Sequence, residues 1–422
     1  MDQVSGLECT ICGARYQAND VTYVCPGHGN DGILDVIYDY DLIRECISPG
    51  KLAADGDYSM WRYLPLLPVE PASARRLVEG TVMAGVGWTP LLAAPRLAAS
   101  LGLEHLWVKD DGREPTASFK DRASAIALVK ARELGYATVT TASTGNAAAA
   151  LAGLGAAVSQ PSVIFVPRAA PQGKVAQLLV FGATVLLVDG DYDDAFGLCL
   201  DAASEFGWYN RSTGFNPYMS EGKKTAAFEI CEQLRWQAPD CIFVPVGDGC
   251  ILGGIYKGLR DLLALGWIDH LPRLIGVQAA GSAVLADAWE RGLNAMELKP
   301  IESSTIADSI STGLPHDRIK ALRAVRESDG AFVRVSDTEI LAAVPALARG
   351  CGVFAEPAAA AAYAGLVRAV DLELVGANER VVVLATGSGL KDVPAAIKSV
   401  TPAAIVSPDL EDVRRAMERL RH

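Results

Sequence analysis

Residues 114–122, Glu114-Pro115-Thr116-Ala117-Ser118-Phe119-Lys120-Asp121-Arg122, set a lysine just inside the start of a helix that follows a short strand, Leu106-Trp107-Val108-Lys109. The spacing of Ala123, Ile126, Ala127, Val129 and Ala131 predicts that helix over 118–134, with these side chains on its buried face. A cation at a helix start sits at the unfavourable end of the helix dipole. Held there among apolar neighbours, Lys120 is placed to be a Schiff-base amine instead of a solvated surface charge. A second junction follows at Ala142-Ser143-Thr144-Gly145-Asn146, where a strand over 138–142 turns into a helix from 145. Its N–H groups could hold a carboxylate. An N-cap explains Ser143 or Thr144 equally well.

The same alternation runs outward through most of the chain. Further strands are expected at 162–166, 184–188, 241–246, 273–279, 332–335 and 380–385. Helices are expected near 172–182, 191–206, 220–237, 252–265, 282–291, 337–349 and 356–370. Short apolar strands separated by helices imply an α/β fold with parallel-rich sheets covered on both faces. Asp39 to about Trp88 reads as a linking and docking segment. Two more strand-to-helix turns carry chemistry. Gly247-Asp248-Gly249-Cys250-Ile251 is glycine-rich backbone at a helix start, suited to cradling a phosphate, with Asp248 expected to turn away and cap the helix. Thr386-Gly387-Ser388-Gly389-Leu390-Lys391-Asp392 follows the last strand.

Composition removes several functional classes. With 422 residues, half of them apolar, and 40 glycines, the chain has material for two domains and an appendage, and it is not disordered. A net charge of −12 argues against nucleic acid or anionic lipid as the main partner. No run is long and apolar enough to span a membrane, and the N-terminus does not read as a signal peptide. Cys46, Cys199, Cys231, Cys241, Cys250 and Cys351 lie mostly in apolar runs, as expected of reduced thiols in a cytoplasmic protein.

Near the N-terminus, Cys9-Thr10-Ile11-Cys12-Gly13 is echoed by Cys25-Pro26-Gly27-His28-Gly29. Two turns, each with two metal-type ligands and a closing glycine, read as a zinc-ribbon-like module ligated by Cys9, Cys12, Cys25 and His28. Four protein ligands close the coordination sphere, so the zinc is structural. A ribbon that has lost its metal is the alternative. Residues 1–50 carry eight acidic and two basic side chains, which excludes a nucleic-acid-binding ribbon.

Together these stretches resemble the threonine synthase family of pyridoxal-phosphate enzymes. The family's lysine segment reads Pro-Thr-Gly-Ser-Phe-Lys-Asp-Arg-Gly, and its late turn reads Thr-Gly-His-Gly-Leu-Lys-Asp. The similarity includes Asn216-Pro217-Tyr218, Glu221-Gly222-Lys223-Lys224-Thr225 and the ribbon, so it covers nearly the whole chain. It implies the two-domain fold type II: a module at 1–45, a large cofactor-binding domain at 46–133 and 211–422, and a small mobile domain at 134–210. It implies pyridoxal 5'-phosphate bound through Lys120, which is also catalytic. Asn146 would meet the ring oxygen, Gly247, Asp248, Gly249, Cys250 and Ile251 the phosphate, and Thr386 the ring nitrogen. Ser143, Thr144 and Gly145 would bind the substrate. The implied reaction converts O-phospho-L-homoserine and water to L-threonine and phosphate, in an enzyme that is often a homodimer. The chain departs from its relatives where they have threonine, serine and arginine, carrying Ala147, Gly214 and Met219 instead. Arg168, Arg211 and Lys223 are candidate substitutes. The rival readings are replacement or elimination at the β carbon of a phosphoserine-like substrate, serine or threonine deamination, and a binding protein without turnover.

Overall fold

The computed structural model describes residues 2–170 and 172–420. Three strands, β1 (Val4–Cys9), β2 (Arg15–Tyr16) and β3 (Leu34–Tyr38), form an antiparallel sheet in the order β2-β1-β3. Ten more follow: β4 (Leu91–Ala93), β5 (His105–Asp110), β6 (Val139–Ala142), β7 (Ser162–Pro167), β8 (Thr184–Val188), β9 (Tyr209–Asn210), β10 (Cys241–Pro245), β11 (Arg273–Ala279), β12 (Ala331–Val335) and β13 (Arg380–Ala385). They make a six-stranded sheet, β12-β11-β10-β13-β5-β4, and a four-stranded sheet, β8-β7-β6-β9. Every neighbouring pair in these two sheets is parallel except β4 with β5. The chain is α/β.

The central strands are apolar along their whole length because they are covered on both faces. Val381, Val382, Val383 and Leu384 of β13 are all buried, and successive side chains enter opposite layers of the core. Six helices position the site: α1 (Lys120–Glu133), α2 (Asn146–Ala157), α3 (Tyr192–Phe206), α4 (Cys250–Leu265), α5 (Arg318–Glu327) and α6 (Pro357–Asp371). Helix α1 departs from the expected single buried face. Asp121 through Ala131 are all buried, because the helix is surrounded by other elements. The alanines Ala358–Ala362 of α6 are likewise all buried.

The docking segment is more ordered than its sequence suggests. It contains the short helices Tyr40–Cys46, Pro49–Ala53 and Pro71–Val78, and it buries Trp61, Tyr63, Leu64 and Leu66 in the core. The helix expected over 220–237 appears as Met219–Lys223 and Thr225–Gln233, ending before Arg235 and Trp236, both at positive φ. No helix among the described residues is long and apolar enough to cross a membrane.

The candidate active site

The lysine loop is tied to the loop after β13. Phe119 N–H donates to the Thr386 carbonyl at 2.9 Å, and Ser388 N–H donates to the Ala117 carbonyl at 3.1 Å. Asp121 fixes the turn from inside, accepting from Thr116 N–H at 2.6 Å and from the Thr116 hydroxyl. Burial raises its carboxyl to about 6. Ala117 sits at φ 64, where the family motif has glycine. A Cβ in this left-handed region costs about 1 kcal/mol. Ala117→Gly should therefore stabilise the protein by about 1 kcal/mol, read as a higher urea midpoint.

Lys120 opens α1 half-buried and forms no ion pair among the described residues. Burial pushes its amine below the ordinary lysine range, against the weaker pull of Glu356 and Asp248. That shift raises the share of the neutral, nucleophilic form. The Thr386 hydroxyl, in a residue 6% exposed, bonds to no described side chain.

Asn146 begins α2, and its side-chain amide donates to Glu356 Oε1 at 2.7 Å. Glu356 is anchored in turn, its N–H donating to the Gly387 carbonyl at 3.0 Å. Burial raises the Glu356 carboxyl, against the pull of Lys120 and Lys391. This glutamate went unnoticed in the sequence. Its only signal is an acid directly before Pro357 at the head of an alanine-rich helix. An open cleft lies here, with Thr144, Gly145, Asn146, Lys174, Glu356 and Lys391 in its wall. The Ser143 hydroxyl accepts from Gly145 N–H at 3.2 Å, and no side chain caps α2, so its first-turn N–H groups stay open toward a ligand.

The 247–251 turn belongs to the electrostatic surroundings of Lys120, with Cys250 and Asp248 both acting on the lysine. Gly249 has φ 88, and a Cβ there would stand 2.7 Å from Ala321 Cβ in α5, so only glycine lets the turn lie this close. The expectation for Asp248 needs correction. No side chain caps α4. Asp248 Oδ1 accepts from His316 N–H at 3.2 Å and so secures the segment before α5.

Of the candidate substitutes, Arg168 is a surface charge, its side chain 71% exposed and 3.4 Å from Asp189. Arg211 and Lys223 are buried beside the site. Met219 is core, 1% exposed. Gly214, at φ 74, has no room for a side chain because His316 Cβ occupies the space. His316 in turn stacks on Phe196 of α3 at 4.6 Å.

In the N-terminal module, one ligand atom from each of Cys9, Cys12, Cys25 and His28 lies within 4.8 Å of the others. The Cys9 and Cys25 sulfurs are 3.9 and 3.5 Å from His28 Nδ1. A tetrahedral zinc holds its ligand atoms roughly 3.5–3.8 Å apart, so the donor set fits. The Tyr16 hydroxyl lies 3.0 Å from Cys25 Sγ, an outer partner for a thiolate ligand.

Comparison with known proteins gives the family. Residues 82–387 match the family described as pyridoxal-phosphate dependent enzyme. A threonine synthase from Methanosarcina acetivorans is 42% identical over 97% of this chain and 98% of its own length. One from Methanocaldococcus jannaschii is 37% identical over 98% and 99%. Diaminopropionate ammonia lyase from Escherichia coli shares the fold at TM-score 0.65 and 21% identity, covering 82% of this chain and 93% of its own. The chain therefore belongs to the threonine synthase family of pyridoxal-phosphate-dependent enzymes.

Proposed function

We propose that the protein is a threonine synthase, converting O-phospho-L-homoserine and water to L-threonine and inorganic phosphate. The observation that carries this reading is the half-buried Lys120 amine, without an ion pair among the described residues, on a loop hydrogen-bonded to the Thr386 carbonyl and within electrostatic reach of Glu356, the partner of the Asn146 amide. Near-full-length likeness to proteins named threonine synthase supports it.

The residues present fit pyridoxal phosphate. Lys120 would hold its aldehyde carbon, the 247–251 backbone its phosphate, Asn146 its ring oxygen and Thr386 its ring nitrogen. When bound, the cofactor supplies an electron sink for charge developing at the substrate's α carbon. The turn Ser143–Gly145 and the uncapped N–H groups that open α2 behind it would fix the substrate carboxylate. Lys120 Nζ would remove the α-proton and return one later in the cycle, a role suited to an amine whose basicity burial has lowered. A hydroxyl at the ring nitrogen does not protonate it as a carboxylate would, which favours elimination and replacement over transamination. Glu356 holds the Asn146 amide in register. In this reading the four-stranded layer is the small lobe and the six-stranded layer the large one.

Ala147, Gly214 and Met219 favour a second reading, β-replacement or β-elimination on phosphoserine, serine or threonine. Incubating the holoenzyme with each substrate separates the two. Threonine and phosphate from O-phosphohomoserine support the first. Ammonia from threonine or serine alone would overturn it.

We further propose that the N-terminal module holds one structural zinc. Metal analysis should find one zinc per chain, lost in Cys9→Ser. The thermal midpoint of that variant should fall by roughly 5 °C or more.

A further inference from the structure

Arg211 follows β9, is 1% exposed, and has two buried donors, Nε and Nη2, with no hydrogen-bond partner. These two atoms form one edge of the guanidinium. Arg122 uses the same edge to grip Asp111, at 2.7 and 3.1 Å. A buried fork left open is destabilising, and a fold that keeps one keeps it for a ligand that fills it. The adjacent Ser212 hydroxyl is also buried, with the Cys199 thiol nearby and no hydrogen bond of ordinary geometry among the described residues. Lys223, fully buried, hydrogen-bonds only the Thr213 hydroxyl, at 3.4 Å, and forms no ion pair among the described residues.

These groups lie close together, the Lys223 amine 3.4 Å from the Thr213 hydroxyl, two residues along the chain from Arg211. Lys120 and Lys223 both feel the repulsion of the Arg211 charge, and all three cations are in reach of Cys250 at the start of α4. Burial pushes Arg211 down to about 10 and Lys223 to about 8. The nearby carboxylates do not close the fork. Asp121 is held by Thr116, Asp248 by His316, and Asp317 faces the Cys250 thiol. A planar carboxylate would satisfy the fork alone. A tetrahedral dianion also offers oxygens to a hydroxyl and a second cation.

We propose that Arg211, Ser212 and Lys223 form a receptor for a phosphate monoester dianion beside Lys120. The inference deepens the reading of the chain as an enzyme acting on a phosphorylated amino acid. It shifts recognition from the positions of Ala147, Gly214 and Met219 to a buried cluster that this chain supplies instead. Two phosphate monoesters share the required chemistry, the phosphoryl end of the substrate and the 5'-phosphate of the cofactor.

The test uses full-length wild type, Arg211→Gln and Lys223→Gln. Affinity of the holoenzyme for inorganic phosphate is measured by calorimetry, KM with O-phosphohomoserine, and apoenzyme affinity for pyridoxal phosphate against pyridoxal. If the receptor serves the substrate, Arg211→Gln weakens phosphate binding and raises KM about 100-fold, and Lys223→Gln about 10-fold, with cofactor affinity unchanged. If it serves the cofactor, the losses appear for pyridoxal phosphate and not for pyridoxal. Either result supports the receptor. Folded variants that bind inorganic phosphate and pyridoxal phosphate as wild type does would overturn it. A wild type that binds phosphate through Arg211 yet does not turn over O-phosphohomoserine would sink the proposed reaction and leave the receptor standing. Should Arg211→Gln fail to fold, Lys223→Gln alone decides.

Discussion

Lys120→Ala is expected to lower kcat with O-phosphohomoserine by roughly a thousandfold or more, and to abolish the visible absorption band of the cofactor-loaded protein. The first effect follows from losing the atom that moves the α-proton, a role worth about 10²–10⁴-fold. The second follows from losing the covalent anchor. Stability should respond in the opposite sense. The amine is desolvated and unpaired, so the fold carries it at a cost, and the apoprotein's thermal midpoint should hold or rise in the variant. A variant that keeps the visible band would move the anchor elsewhere. One that merely unfolds would show Lys120 to be structural.

Arg122→Ala is expected to destabilise the protein by about 3–5 kcal/mol, read as a large drop in the urea midpoint. The guanidinium, fully buried, bonds Asp111 at 2.7 Å, Glu114 at 3.2 Å and Glu229 at 2.5 Å, and donates further to the Thr89 and Thr225 hydroxyls. Lys109, 2.6 Å from Glu229, is the other cation of the cluster. Removing Arg122 leaves three buried carboxylates to one lysine. Arg122→Met should not rescue, because the carboxylates stay. Arg122→Lys should rescue only in part, since a point charge cannot serve both sides of the fork. The pH dependence has a definite sign. Despite burial, Arg122 and Lys109 hold the Glu229 carboxyl down to about 2, against an ordinary 4.5. Its contribution is full above pH 4.5 and is lost as pH falls toward 2, so wild type should lose stability across that window. The variant, lacking the main partner, should lose less there. An unchanged urea midpoint would refute this account of the network.

Much of the fold could be read from continuous apolar runs. The strands 241–246, 273–279 and 380–385 are buried on both faces, and local composition suffices to mark such segments. The lysine loop, the glycine turn and Thr386 stood out as candidates because each sits at a strand end, where backbone geometry restricts the residues allowed. Helix α5 was missed. Arg318 and Lys320 break its apolar pattern, and the carboxylates that let them be buried, Asp31 and Asp35, come from the N-terminal module. Strands β4 and β9 have three and two residues, too few to show alternation. Glu356 was hidden by the helix it precedes, and the true partner of Asp248 could not be seen because His316 is far along the chain.

The N-terminal module is not a detachable passenger. Tyr23, between the two ligand turns, packs on Phe215 at 4.8 Å and accepts from Asn210 N–H at 2.8 Å, one residue before Arg211. Lys257 donates to the Val36 carbonyl at 2.7 Å, and Lys320 lies 2.7 Å from Asp35. Cutting the chain at residue 46 would strip these counterparts from buried lysines in the catalytic body and bare the rear of the segment bearing Arg211. Truncation that looks harmless on a domain map would, by this geometry, unseat the pocket from behind.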